Sequence, residues 1–193
     1  MHNQIICITG ASGSGKTTLV ESLFQTHRGI FADIPSILTR PPRGDRESLN
    51  ITVTKSEFEE LWNKGELLWK IENHGHLYGT RKKDVRDVLL SSNRALLIIS
   101  PRCIPLLMEF CAEEGIDPKS FLFLHVLSPG ETAITTRLAA RGDSMEVIAT
   151  RIKECKEWDA YIRSLPYPIH LLDNSGTPEE FLKKATEIIF KNI

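Results

Sequence analysis

The sequence contains a glycine-rich segment, GASGSGKT at residues 10–17, which ends in a lysine and a threonine. Glycine permits positive φ angles, so successive backbone N–H groups can turn toward one phosphate group. Lys16 adds a positive charge for the β- and γ-phosphates, and the Thr17 hydroxyl group can bind Mg²⁺. The segment therefore predicts a site for a nucleoside triphosphate. The contributing residues are Gly10, Ala11, Ser12, Gly13, Ser14, Gly15, Lys16, Thr17 and Thr18.

Several protein classes share this phosphate-binding loop, and other segments must distinguish them. A GTPase would need a guanine-reading N-K-x-D segment and a D-x-x-G switch, and the sequence has neither. An ATPase motor usually ends a strand with an acidic residue, whereas the candidate strand ends LLIISPR and LHVLSP carry no carboxylate. A kinase instead needs cationic groups for an anionic acceptor and a lid that excludes water.

Two groups of arginines meet the requirements of a kinase. The segment TRPPRGDR holds Arg40, Arg43 and Arg46 on a backbone stiffened by proline, and guanidinium groups bind phosphate in a bidentate manner. Arg137 and Arg141 are four residues apart and share one helix face, and Arg151 follows on the next helix. We predict that the first group binds the acceptor and that Arg137, Arg141 and Arg151 act with Lys16 in phosphoryl transfer.

The elements that must position these residues alternate between strands and helices. Apolar, β-branched runs at residues 4–9, 34–39, 94–100, 121–127 and 168–173 predict five strands with helices between them. Ser-x-x-Glu or similar spacings at 128–131, 143–146 and 177–180 predict capping boxes for three of the helices. The pattern predicts an α/β fold with a parallel five-stranded sheet flanked by helices.

Residues 41–80 interrupt this alternation with a proline-rich segment, a helix and a hairpin around IENHGHLY. We expect one domain over residues 1–193, with a core of 1–40 and 81–193. Residues 41–80 would then form an inserted acceptor-binding lobe, and residues from about 137 to 151 a helical lid.

Composition limits the partners. The net charge of −1 does not favour binding to nucleic acid or to an anionic membrane, and no apolar run is long enough to cross a bilayer. Four cysteines without a C-x-x-C pair are expected to be reduced, as in a cytoplasmic protein. We expect a small phosphorylated molecule as the partner, and leave open a monomer or a homodimer.

The chain resembles the guanylate kinase family over nearly its whole length. GASGSGKTTL is similar to the family's phosphate loop, and SILTRPPRG is similar to the segment that grips a nucleoside monophosphate. SEFEELWNKGELLWKIENHGHLYGT and RLAARGDSMEVIATRI resemble the family's acceptor segment and lid, and LLDN stands where the family has V-x-N-D. The resemblance implies a P-loop kinase fold that uses ATP and Mg²⁺.

The resemblance also implies roles for individual residues. Ser36, Arg40, Arg43, Tyr78 and Thr80 match acceptor-binding positions, and Arg40, Arg43 and Tyr78 would face the acceptor phosphate. The arginines at 137, 141 and 151 match lid and transfer positions, and Asn174 falls near the family's adenine-side asparagine.

The chain departs from the family at the acceptor site. Asn50 replaces a phosphate-binding tyrosine, and Trp69 replaces the first of two glutamates, of which the second is kept as Glu72. Ile98 and Ser100 replace two strand-end aspartates, one on the magnesium side and one that reads guanine. We therefore predict acceptor contacts from Asn50, Trp69, Glu72 and Ser100. Of these, only Glu72 keeps the residue type of the family.

These departures leave alternatives for the acceptor. The primary hypothesis is ATP- and Mg²⁺-dependent phosphoryl transfer to GMP or dGMP. The chain also resembles ribose 1,5-bisphosphate kinases in Asn50 and in the Pro101-Arg102 pair, which makes a phosphorylated sugar the alternative acceptor. A nucleotide-binding protein with little catalysis is a further hypothesis, although the intact Lys16 argues against it.

Overall fold

The computed structural model describes residues 4–42, 50–91, 93–140 and 142–193. Strands and helices alternate through most of the chain. The strands are β1 (Ile5–Thr9), β2 (Phe31–Asp33), β3 (Ser36–Leu38), β4 (Asn50–Thr52), β5 (Ile71–Asn73), β6 (His76–Gly79), β7 (Arg94–Ile98), β8 (Phe121–Val126) and β9 (Ile169–Leu172). The helices are α1 (Lys16–Thr26), α2 (Lys55–Asn63), α3 (Lys82–Leu89), α4 (Cys103–Glu114), α5 (Glu131–Ala139), α6 (Met145–Ser164) and α7 (Pro178–Asn192).

The main sheet has five strands in the order β2-β7-β1-β8-β9, and all its pairings are parallel. Helices cover both faces: α1 and α7 pack on one face, and α4 packs on the other. Every residue of β1 and β8 is buried, as expected for central strands with helices on both sides. The predicted α/β fold with a parallel five-stranded sheet is confirmed.

The position predicted for the second strand was wrong. The strand of the main sheet is β2 at Phe31–Asp33, whereas residues 36–38 of the predicted run form β3 in a second sheet. Pro35 lies between them, and proline has no N–H group with which to continue a ladder. The chain therefore leaves the main sheet after Asp33.

The second sheet has four strands in the order β4-β3-β6-β5 and is covered by α2 through the buried Phe58. The predicted hairpin is confirmed as β5 and β6, which are antiparallel. Its turn places His74 at φ 50° and Gly75 at φ 76°, the positive values that a tight two-residue hairpin turn requires. After the hairpin, the chain forms α3 and rejoins the main sheet at β7.

The observed N-terminal caps of the helices agree only in part with the three predicted capping boxes. Thr177 and Glu180 form the predicted box at the start of α7. The box predicted from Ser128 was wrong, because α5 begins only after Gly130 and has no side-chain cap. The cap of α6 comes from Ser144 and not from Asp143.

All four cysteines are buried and free. Burial raises the pKa of the Cys103 thiol to about 12 and that of Cys111 to about 11, so both stay protonated at neutral pH. Over the described ranges, no helix is long and apolar enough to cross a membrane.

Candidate active site

The glycine-rich segment forms a loop between the end of β1 and the start of α1. Gly10, Gly13 and Gly15 have φ angles of 143°, 80° and 106°. A Cβ atom on Gly10 would lie 2.6 Å from the backbone oxygen of Val126, so this position accepts only glycine. The geometry aims the loop and the N-terminus of α1 at one point, which suits a phosphate group.

Lys16 lies across this loop. Its Nζ atom donates hydrogen bonds to the backbone oxygens of Gly10 at 2.6 Å and Ala11 at 2.8 Å. Thr17 and Thr18 are exposed at the start of α1 and line the cleft beside the loop. The ammonium group is thus held at the place where the phosphates of a nucleotide would approach.

One open cleft of about 940 Å³ joins the loop to the second sheet. The described acceptor candidates all line this cleft together with the phosphate loop. They are Ser36, Arg40, Asn50, Trp69, Glu72, Tyr78, Thr80 and Ser100. The fold therefore brings together residues that lie up to about ninety positions apart in the chain, while Arg43 lies outside the described residues.

Parallel strand ends and the second sheet form the walls of the cleft. Ser36 donates from Oγ to the backbone oxygen of Ile98 at 3.5 Å, which links β3 to the end of β7. Trp69 is only 3% exposed and packs with the core, and its backbone oxygen lies against Gly79. Trp69 thus forms a rigid part of the wall, whereas Glu72 is exposed and Tyr78 is half-buried.

The described lid arginines contact the outer side of the phosphate loop. Arg137 on α5 donates from Nη1 to the backbone oxygen of Gly13 at 3.1 Å. Arg151 on α6 is 5% exposed and donates from Nη1 to Ser12 Oγ at 2.7 Å. Asp143 lies 3.5 Å from the same Arg151 nitrogen. Arg141, the other predicted lid arginine, lies outside the described residues.

Asn174 lies beneath the loop. It is 5% exposed, and its Nδ2 donates to the backbone oxygen of Ser14. A Cβ atom on Gly15 would lie 2.6 Å from that nitrogen, so the amide and the loop are in close contact. In this structure Asn174 contacts the loop, and its contact with adenine stays a prediction.

The cleft is also lined by charged residues that sequence reasoning did not assign to the site, among them Asp33 and Arg102. Asp33 is the last residue of β2. Because the second strand was predicted to begin at residue 34, Asp33 was not recognised as a strand end. The predicted strand at 94–100 ends two residues before Arg102, a sequence signal that could have identified it. The carboxyl edge of the sheet therefore carries a carboxylate on β2, although β7 has none at Ile98.

Burial raises the pKa of Asp33 to about 6 from an ordinary value of 3.8. Between these values the folded protein binds more protons than the unfolded chain, so stability falls as the pH rises through this window. We expect Asp33→Asn to increase the free energy of unfolding by about 1 kcal/mol at about pH 8, since water still reaches part of the carboxylate. The increase should vanish at about pH 3.

Urea denaturation at both pH values measures this effect. Glu113→Gln, at an exposed position on α4, is the control and should leave the free energy of unfolding unchanged at both pH values. An Asp33→Asn variant that is less stable than the wild type at about pH 8 would contradict the assignment.

Fold and cleft together define a class. The first strand of the parallel sheet leads into a phosphate loop, a second sheet lies across the cleft, and α5 and α6 each place an arginine against the loop. This is the architecture of a P-loop kinase.

Comparisons with known proteins narrow this class to a family. Residues 2–189 match the profile of the family described as guanylate kinase. The chain is 34% identical over 163 residues to a guanylate kinase of Nostoc sp., covering 81% of this chain and 76% of that protein. It is 31% identical over 190 residues to a guanylate kinase of Streptococcus pyogenes, covering 95% and 84%. The chain belongs to the guanylate kinase family and is an ATP-dependent kinase.

Solved structures support the fold. The structure of guanylate kinase from Anaplasma phagocytophilum matches with a TM-score of 0.64 at 20% identity, covering 98% of this chain and 86% of that chain. A gluconokinase from Sinorhizobium meliloti matches with a TM-score of 0.51 at 14% identity, covering 98% and 92%.

Proposed function

We propose that this kinase transfers the γ-phosphoryl group of ATP to GMP, or dGMP, with Mg²⁺. The observation that carries the proposal is the single cleft that joins the phosphate loop to Arg40, Tyr78 and Glu72. A kinase accelerates phosphoryl transfer chiefly by holding both substrates in line and by stabilising charge, and a shared cleft satisfies this requirement. The relatives are named guanylate kinases, which supports GMP as the acceptor and does not favour a phosphorylated sugar.

On the donor side, the loop N–H groups and Lys16 bind the β- and γ-phosphates. Thr17 is exposed beside the loop and supplies the hydroxyl oxygen that Mg²⁺ prefers. No cluster of three or more acidic, histidine or cysteine residues that could hold a metal occurs among the described residues. Mg²⁺ would be held by the Thr17 hydroxyl group and the phosphates, and it would neutralise charge on the phosphates.

On the acceptor side, Arg40 and Tyr78 bind the phosphate of GMP, together with Arg43. Ser36 and Thr80 position that end of the nucleotide, and Asn50 lines the cleft where the family has a tyrosine. A phosphate oxygen is already an anion, so the transfer needs no general base.

At the base end of the acceptor site, Glu72 and Ser100 provide polar contacts to guanine. Both line the cleft. Trp69 supplies an apolar wall there, since its side chain is buried and fixed by the core.

We propose a lid of residues from about 137 to 151, which takes in the end of α5 and the start of α6. The lid carries Arg137 and Arg151, which contact the phosphate loop and are therefore close to the place where the γ-phosphate would bind. Residues 41–80 are the proposed acceptor lobe, although their sheet also includes β3.

Tyr78 tests the acceptor site. We expect Tyr78→Phe to raise the KM for GMP about 10-fold and to leave the KM for ATP unchanged, because it removes one hydroxyl donor to a charged group. Tyr161→Phe, at an exposed tyrosine of α6, is the matched control. An equal rise in the KM for ATP would show that Tyr78 does not belong to the acceptor site.

A coupled assay of ADP release tests the proposed function. The acceptors are GMP, dGMP, AMP, UMP, CMP and ribose 1,5-bisphosphate, each with ATP and Mg²⁺. We expect release with GMP and dGMP, and none above background with the sugar bisphosphate. ATP binding without release for any acceptor would overturn the proposal.

A further inference from the structure

His125 lies behind the phosphate loop, in a place that the proposed mechanism does not use. It belongs to β8, pairs in register with Thr9 of β1, and is fully buried. Thr9 is the last residue of β1 and precedes Gly10 directly. The Thr9 Oγ1 and His125 Nδ1 atoms are 2.6 Å apart, a short hydrogen bond inside the core.

The other ring nitrogen points to helix α6. His125 Nε2 lies 2.9 Å from Asp159 Oδ1, and the second carboxylate oxygen of Asp159 accepts a hydrogen bond from the Ser128 N–H group at 3.2 Å. Asp159 is a residue of α6, the helix whose Arg151 bonds to Ser12 of the loop. Helix α6 is therefore joined to the phosphate loop at two points about two turns apart.

The partners fix the roles of the ring atoms. An ionised Asp159 only accepts, so Nε2 carries the hydrogen and donates to it. In the neutral ring Nδ1 is then an acceptor, and the Thr9 hydroxyl group donates to it at 2.6 Å, since its other acceptor, the Leu124 backbone oxygen, is 3.4 Å away. Both ring nitrogens are thereby paired within the core, where an unpaired polar atom would be costly.

Thr9 is connected to Lys16 through the backbone of Gly10. The backbone oxygen of Gly10, the next residue, accepts from Lys16 Nζ at 2.6 Å. A Cβ atom on Gly10 would lie 2.6 Å from the backbone oxygen of Val126, so Gly10 lies close to the end of β8, the strand that carries His125. On the other side, Glu154 and Trp158 of α6 line the cleft near Asp159.

We propose that His125 is a positioning residue, which through Thr9 and Asp159 fixes the start of the phosphate loop and its lysine relative to the lid helix α6. It does not touch a substrate. The effect on catalysis rests on the proposed kinase function, whereas the effect on nucleotide binding does not.

The test compares Thr9→Val, which keeps the shape and removes the hydroxyl group, with Thr9→Ser, which keeps it. We expect Thr9→Val to lower kcat about 10-fold and to weaken binding of a non-hydrolysable ATP analogue about 3- to 10-fold, with the KM for GMP unchanged. Thr9→Ser should restore both values to within about 2-fold. Calorimetry measures the analogue and steady-state assays measure the rates, well below the unfolding temperature of each variant.

A double variant separates positioning from general stabilisation. If Thr9, His125 and Asp159 form one connection, the double variant Thr9→Val/Asp159→Asn should lose no more kcat or analogue affinity than the more impaired single variant. Each single substitution already breaks the same connection. The proposal would be overturned if the losses of the two single variants multiplied in the double variant. It would also be overturned if Thr9→Ser were as impaired as Thr9→Val. A folded Thr9→Val with unchanged analogue affinity would overturn it as well. If the wild type binds the analogue but does not phosphorylate GMP, the function fails while the analogue affinities still decide the role of His125.

Discussion

The Lys16→Ala variant should lose at least about 10²-fold in kcat, the largest single effect expected for this protein. The ammonium group is already held at the loop by the backbone oxygens of Gly10 and Ala11. It can therefore stabilise charge that develops on the transferring phosphoryl group without reorganisation. Removing it leaves the loop N–H groups, which still bind the nucleotide, so kcat should fall more than ATP affinity.

Steady-state kinetics with ATP and GMP, together with calorimetry of ATP binding, separates these two effects. Lys119→Ala is the matched control, because Lys119 precedes β8 and lies at the amino edge of the sheet, opposite the cleft. A Lys16→Ala variant that keeps its kcat within about 3-fold of the wild type would refute the assigned donor site.

The Arg40→Ala variant should lower kcat/KM for GMP about 10- to 150-fold, mainly through a higher KM. Arg40 lines the cleft at the start of the acceptor segment. A hydrogen bond to a charged group contributes about 1.5–3 kcal/mol, which corresponds to this range. The KM for ATP should stay within about 2-fold, since the donor phosphates bind to the loop.

Arg40→Lys distinguishes charge from geometry. Lysine keeps the charge but lacks the planar pair of donors, so we expect an intermediate loss. Arg163→Ala, at an exposed position on α6, serves as the control. If Arg40→Ala affected ATP and GMP equally, Arg40 would belong to the donor site or to the fold.

Much of the fold could be predicted from the sequence because central strands and amphipathic helices leave strong local patterns. The apolar runs of β1, β7 and β8 located three central strands. The three-residue strand β2 could not be located, because its pattern is too short and the apolar run continued past Pro35. The second sheet depends on pairing between distant segments, which local sequence does not encode.

The donor site was more predictable than the rest of the cleft. Residues 10–17 form a contiguous segment whose chemistry can be inferred from residue type and spacing. Asp33 and the Thr9–His125–Asp159 chain are assembled from separate elements, and only the folded structure brings them together. Trp69 was predicted as an acceptor contact because it stands where the family has a glutamate, and only the structure shows that the core buries its side chain in the wall of the cleft.

Direct identification of the products is the most direct test of the central claim. The purified protein is incubated with ATP, Mg²⁺ and either GMP or ribose 1,5-bisphosphate, and the nucleotides are separated by anion-exchange chromatography. We expect ADP and GDP in equal amounts with GMP, no ADP above background with the sugar bisphosphate, and at most about 1% of the wild-type amount of either product with Lys16→Ala in the same time. Formation of ADP with ribose 1,5-bisphosphate but no GDP from GMP would contradict the account.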